Sequence, residues 1–199
     1  LYYLGELTEG IDKKKSFWLN YLKETPNGRF SGDIAQGLDE LITDKSAEEK
    51  ELIGLGYAHA QRKPAQAIAL LKQSPIENVW LPLANTYIHS GQKRTAVATV
   101  KKGILAETNQ AAVQEGIDLI IKATPSQQRL TTLRSINPKA LKAGGDYLYW
   151  RLSRFNPSRA HQYYQEILNT YPKGDYGPES SWRLILPDLK RRADSTFLT

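Results

Sequence analysis

Few residues in this chain have the type and spacing for bond-making chemistry. His59, His89 and His161 stand far apart, whereas a metal site wants several His or carboxylate ligands converging. Their positions therefore read as packing or surface. Asp39-Glu40 and Glu48-Glu49 could supply a pair of carboxylates for acid/base work, but both sit in charge-mixed sequence on polar helix faces, which reads as solvated surface. Neither HExxH nor GxSxG occurs, and no glycine-rich phosphate loop is present. Gly144-Gly145 precedes a helix without the following Gly and Lys, so it reads as a turn. A cysteine count of 0 excludes disulfides, thiolate metal sites and a cysteine nucleophile. The sequence thus predicts no catalytic residue, no cofactor site and no metal site.

Binding chemistry is better represented. On the helix expected from Asp146, residues Tyr147, Trp150, Arg151 and Arg154 fall at i, i+3, i+4 and i+7, while Leu148, Leu152 and Phe155 take the other side. Aromatic rings beside guanidinium groups can stack on sugar or base rings and pair with anions, so Trp150, Arg151 and Arg154 are the candidate ligand contacts. The competing reading is that this helix packs on both neighbours and that Tyr147 and Trp150 are core. Charge placement singles out the same region. Of a net +6, the stretch from Pro125 to His161 holds Arg129, Arg134, Lys139, Lys142, Arg151, Arg154 and Arg159 against Asp146 alone, which accounts for the whole excess.

The elements that must position these residues are helices. Pro64, Pro75, Pro125, Pro138, Pro157 and Pro178 each precede a helix-compatible run, as suits a residue whose missing N–H has no intrahelical partner in the first turn. Ser46-x-x-Glu49, Ser74-x-x-Glu77 and Thr124-x-x-Gln127 read as capping boxes. Apolar stripes at helical spacing run through Ile34–Ile42, Trp80–Ile88, Val113–Ile121, Ala160–Tyr171 and Trp182–Leu189. No alternating strand is evident, and no apolar run approaches the ~18 residues of a membrane span. Pro82 and Pro187 interrupt two of the helices, so the first of these is expected to start late or to kink. Phe17, Trp18 and Tyr21 mark a first repeat of unclear register.

Two segments share a spacing. Trp80-x-x-Leu83-Ala84-x-x-Tyr87 followed by Ala96-x-x-x-Val100 matches the pattern of tetratricopeptide repeats, and Ala160-x-x-x-Tyr164 with Pro172 matches its second half. The small residues Ala84, Ala96 and Ala160 would admit the close helix crossing. The expected fold is all-α: a right-handed α-superhelix of antiparallel helix hairpins, a single TPR-like helical solenoid over 1–199 with its clearest repeats at 77–108 and 145–192. At ~34 residues per hairpin the chain would hold roughly six. Trp80, Leu83, Tyr87, Val100, Tyr164, Ile167 and Trp182 are expected to be buried. The chain opens at Leu1 and has 0 methionines, so it is expected to be a piece of something longer.

The run from Ala160 through Tyr171-Pro172, Tyr176, Pro178 and Trp182 resembles the α-superhelical region of soluble lytic murein transglycosylases, most closely over 145–192. In such proteins a helix ends in Tyr-Pro, a turn carries a second Tyr, and the next helix opens near Pro and Trp. The resemblance implies a non-catalytic scaffold that positions peptidoglycan strands in the periplasm or cell envelope, with catalysis by a glutamate in a separate lysozyme-like domain. Glu179-Ser180 echoes that domain's motif, but no Gly-Leu-Met-Gln-like segment follows, so no catalytic role is carried over. The alternative is a TPR-type adaptor that binds envelope protein partners in its groove. RNA binding has less behind it, since the Lys/Arg clustering comes without a recognisable module. No cofactor, specific nucleic-acid partner or transmembrane segment is expected.

Overall fold

The computed structural model describes Tyr3 and residues 10–196, with side chains placed as far as Pro187, and among these residues every regular element is helical. The chain forms two compact units, 1–103 and 104–199. The first contains α1 (Ile11–Glu24), α2 (Ser31–Leu41), α3 (Ala47–His59), α4 (Pro64–Leu71), α5 (Ile76–His89) and α6 (Lys93–Gly103). The second contains α7 (Gln110–Ala123), α8 (Arg129–Arg134), α9 (Gly145–Phe155), α10 (Ala160–Thr170) and α11 (Gly177–Thr196). Short 3-10 turns at Ser126–Gln128, Pro138–Ala140 and Pro157–Arg159 lead into or join the helices of the second unit.

In the first unit each helix packs on the next, and α3 also packs on α1 and α5. One core runs through all three hairpins, including Leu22, Ile34, Leu38, Ile53, Tyr57, Leu71, Val79, Leu83 and Tyr87. Burying each large aliphatic side chain contributes about 1.5–3 kcal/mol against chain entropy. Two of the hairpins are built alike. Ile53, Gly54 and Tyr57 on α3 correspond at one constant offset to Leu83, Ala84 and Tyr87 on α5, and the helix ends close the same way. The Arg62 N–H donates to the Tyr57 carbonyl at 3.0 Å and the Gln92 N–H to the Tyr87 carbonyl at 2.8 Å, each across a left-handed residue, Gln61 (φ 54°) or Gly91 (φ 79°). This is a Schellman ending. His59 is consequently the counterpart of His89.

Glycine, more than alanine, marks the tight crossings. A Cβ at Gly103 of α6 would overlap the Trp80 indole of α5, and one at Gly37 of α2 would overlap the Trp18 ring of α1. That contact gives the first hairpin its register: Trp18 lies buried against α2, and the Lys14 ammonium lies 4.3 Å from its ring centroid.

Several local expectations change. The Ser46–Glu49 capping box forms, with the Glu49 N–H donating to Ser46 Oγ at 3.2 Å and the Ser46 N–H to Glu49 Oε2 at 2.7 Å. The Ser74 box does not. Pro75 takes the cap position of α5, and the Ser74 N–H is still engaged in closing α4, donating to the Leu71 carbonyl at 3.1 Å. The Thr124 box fails likewise: Pro125 takes the cap and Thr124 Oγ1 is buried without a hydrogen-bond partner. Pro82 does not delay its helix, for α5 begins at Ile76 and the Thr86 hydroxyl donates to the Pro82 carbonyl at 2.8 Å. Trp80, Leu83, Tyr87, Val100, Tyr164 and Ile167 are buried as expected, but Trp182 is 55% exposed. The reason is helical phase: Gly177 and Ser180 put the buried seam of α11 toward α10, and Trp182 lies on the opposite side. Leu189 falls outside the residues with described side chains.

Candidate functional site

The candidate contacts lie on α9, which starts where Gly144 takes a left-handed conformation (φ 67°) and packs so closely that a Cβ there would meet Val113 of α7. Asp146 in the first turn is 3% exposed, and its Oδ1 accepts the Tyr147 N–H at 2.8 Å while Oδ2 has no hydrogen-bond partner. Opposite it runs the turn after α10. The Gly174 N–H donates to the Tyr171 carbonyl at 2.9 Å and the Gly177 N–H to Gly174 at 3.1 Å. A Cβ at Gly174 would stand too close to the Asp146 carboxylate. The Tyr171 hydroxyl donates 2.8 Å to the Pro138 carbonyl, which ties the Tyr-Pro turn to the segment ahead of α9.

This turn delivers Tyr176 to the α9 face. Its ring centroid lies 5.0 Å from that of Trp150 and 5.3 Å from that of Tyr147, and the Tyr147 and Trp150 rings stack at 5.7 Å. The polar ends of the rings are also taken. Trp150 Nε1 donates to Glu179 Oε2 at 3.1 Å, and the Tyr147 hydroxyl to Asp118 Oδ1 at 2.7 Å. Asp118 also pairs with Arg151 at 3.2 Å. Burial, then the bond to Asp118, pushes the Tyr147 phenol far above its usual range, and burial raises that of Tyr176.

The structure therefore gathers Trp150, Arg151 and Arg154 on one face but gives them different work. The Arg151 guanidinium lies 5.7 Å from the Tyr147 ring centroid and 5.8 Å from those of Trp150 and Phe155, and its Nε is buried without a partner. It is an internal clamp. Arg154 is exposed, with its guanidinium 5.7 Å from the Trp150 ring. Such an exposed cation over a half-buried ring contributes about 0.5–1 kcal/mol and leaves the guanidinium edges open to an anion. The basic segment is partly matched in space. Lys139 pairs with Glu166 at 3.0 Å and Arg151 with Asp118, both acids lying outside it. Arg129 donates to the Thr124 carbonyl and Arg134 to the Tyr163 hydroxyl. The sequence offered no signal for Asp118. Tyr176 and Glu179 were visible within the Tyr-Pro segment, though not as partners of α9.

In the first unit a cleft of about 420 Å³ lies between α1 and α3. Lys15 and Lys23 on one wall pair with Glu49 at 2.6 Å and Glu48 at 3.3 Å on the other. The hydrogen bond from Lys15, with the Ser46 N–H, holds the Glu49 carboxyl below its ordinary range. These acids make ion pairs and a helix cap. Among the described residues no three His, Cys, Asp or Glu side chains converge as metal ligands, and no helix is long and apolar enough to cross a membrane.

Compared with protein-family models, characterised proteins and solved structures, the chain gives no match.

Proposed function

We propose that this chain is the non-catalytic helical scaffold of a bacterial peptidoglycan lytic transglycosylase, a TPR-like superhelix that positions murein strands in the periplasm or cell envelope. The observation that carries the reading is the role of the Tyr-Pro turn. The residues on which the family resemblance rests, Tyr171, Pro172 and Tyr176, belong to the turn that fixes the α9 face, through the Tyr171–Pro138 bond and the Tyr176 stack on Tyr147 and Trp150. The superhelical part draws support from the matched endings of α3 and α5 and from the packing of α3 on both α1 and α5, as expected where sequence neighbours are space neighbours.

Peptidoglycan offers carboxylates to Arg154 and sugar rings to Trp150. The test is retention on purified sacculi at rising salt. Retention that weakens with salt and falls in Arg154→Ala supports the reading; no retention by the wild-type chain refutes it. The same chain should release no anhydromuropeptides, and release that survives Glu179→Gln would overturn the scaffold assignment. The alternative is an adaptor for envelope protein partners, which would seat a charged peptide in the cleft between α1 and α3 by exchanging the exposed Lys23–Glu48 pair for its own charges.

A further inference from the structure

Tyr163 of α10 stands beside two arginines that pair with no acid among the described residues. Arg134, the last residue of α8, donates its Nε–H to the Tyr163 hydroxyl oxygen at 3.4 Å. Arg159 holds the cap position of α10, four residues ahead of Tyr163, the spacing that brings two side chains to one helix face. The ion pairs of this unit, Lys139–Glu166, Arg151–Asp118 and Arg183–Glu179, leave both arginines out. Burial would raise the Tyr163 phenol, but the hydrogen bond from Arg134 and the charges of Arg134 and Arg159 hold it below its ordinary value.

A further donor is fixed next to them. Asn156, which ends α9, faces the same hydroxyl. Its Oδ1 accepts the Ser158 hydroxyl at 2.9 Å, and its carbonyl accepts the Arg159 N–H at 3.0 Å. The turn so held leaves Asn156 Nδ2 buried without a hydrogen-bond partner. A buried donor with no acceptor is costly, and like charges gathered without an acid repel one another. A bound anion relieves both.

The donor set selects which anion. The Tyr163 oxygen accepts from Arg134, which leaves its own proton to donate, and the guanidinium groups have N–H groups to spare. Donors from α8, the end of α9 and the start of α10 therefore surround one point with two positive charges. A planar carboxylate offers two oxygens and a single negative charge. A phosphomonoester offers three oxygens and a charge of about −1.5 to −2 at neutral pH, and each guanidinium can pair its oxygens two at a time. Glu166, one turn along α10, would oppose an anion, but Lys139 neutralises it at 3.0 Å.

We infer that Arg134, Arg159, the Tyr163 hydroxyl and Asn156 Nδ2 form a binding site for a phosphomonoester group. The site is independent of the murein reading, which uses Trp150 and Arg154 of α9.

The test is NMR of the full chain, following the arginine Nε–H signals during titration with methyl phosphate and, separately, with acetate at one fixed ionic strength. Saturable movement of the Arg134 and Arg159 signals with methyl phosphate is expected, with acetate bound about tenfold more weakly or worse. Affinity for methyl phosphate should fall about tenfold or more in Arg134→Gln/Arg159→Gln, with helicity and thermal midpoint unchanged. Lys122→Gln/Lys142→Gln removes the same charge from exposed positions of this unit and should change affinity by no more than about twofold. The absence of a saturable response, equal affinity for acetate, or equal losses in the two double variants overturns the inference. Vesicles of phosphatidylcholine with and without phosphatidic acid then identify the source of the group. Sedimentation with phosphatidic acid that methyl phosphate competes away supports the site and places its ligand on a lipid. A methyl phosphate response without sedimentation supports the site and places its ligand on a soluble molecule.

Discussion

Gly103→Ala sets two well-sized effects against each other. Gly103 ends α6, where alanine should gain at most the ~1 kcal/mol that separates the two residues within a helix. Against this, the added Cβ would lie 2.6 Å from Trp80 Cβ and nearer still to the indole. Carbon atoms rest about 3.5–4.0 Å apart, so the deficit is roughly 1 Å. Trp80 cannot give this by turning, because its Cβ is fixed to the α5 backbone and its ring is 2% exposed. The helices must separate, and overpacking of this kind costs about 1–3 kcal/mol. Packing should win, leaving the variant about 1–2 kcal/mol less stable and lowering the urea midpoint followed by far-ultraviolet circular dichroism. Trp80→Leu should itself destabilise, but it makes room for the new methyl. The double variant should therefore be more stable than the sum of the single effects implies. A higher midpoint in Gly103→Ala, or strict additivity in the double variant, would refute the close crossing.

Gln61→Gly should stabilise the first unit by about 0.5–1 kcal/mol, because a left-handed non-glycine residue costs about 1–2 kcal/mol and glycine occupies the matching position at Gly91; the urea midpoint checks it. The depressed Glu49 pKa means that the unfolded chain binds more protons, so this contribution is present above the usual glutamate range and is lost as pH falls through the folded value. The acid limb of a stability–pH curve should flatten in Glu49→Gln. Trp182→Ala should change stability by no more than about 0.5 kcal/mol while Trp80→Ala costs about 3–5 kcal/mol, a contrast that thermal melts of the two variants resolve.

Helix content was legible because periodicity depends on local spacing. The Trp80–Tyr87 stripe and Ser46–Glu49 cap needed only neighbours in sequence to be recognised. Legibility failed where a residue had two possible jobs. Ser74 could cap α5 or finish α4, and the adjacent proline decided it. Trp182 matched the apolar stripe, yet α11 has α10 on one side only among its strong contacts, so phase settled its exposure. The α9 face was visible as a spacing of Tyr147, Trp150, Arg151 and Arg154. Its partners were not, since Asp118 and Glu179 each lie 29 residues from the ring they bond, and no local pattern encodes such a pairing.

The bonds from Tyr147 to Asp118 and from Trp150 to Glu179 make α9 a tie between α7 and α11. In the first unit, contacts join near neighbours in the stack, so a terminal hairpin can fray while the others stay folded. The second unit lacks that freedom. Releasing α11 strips Trp150 of its hydrogen bond and Tyr147 of the Tyr176 ring, and so weakens the hold on α7. Its amides should exchange with solvent water in one cooperative opening, and a protease cut between α8 and α9 would leave two fragments that stay together until denatured.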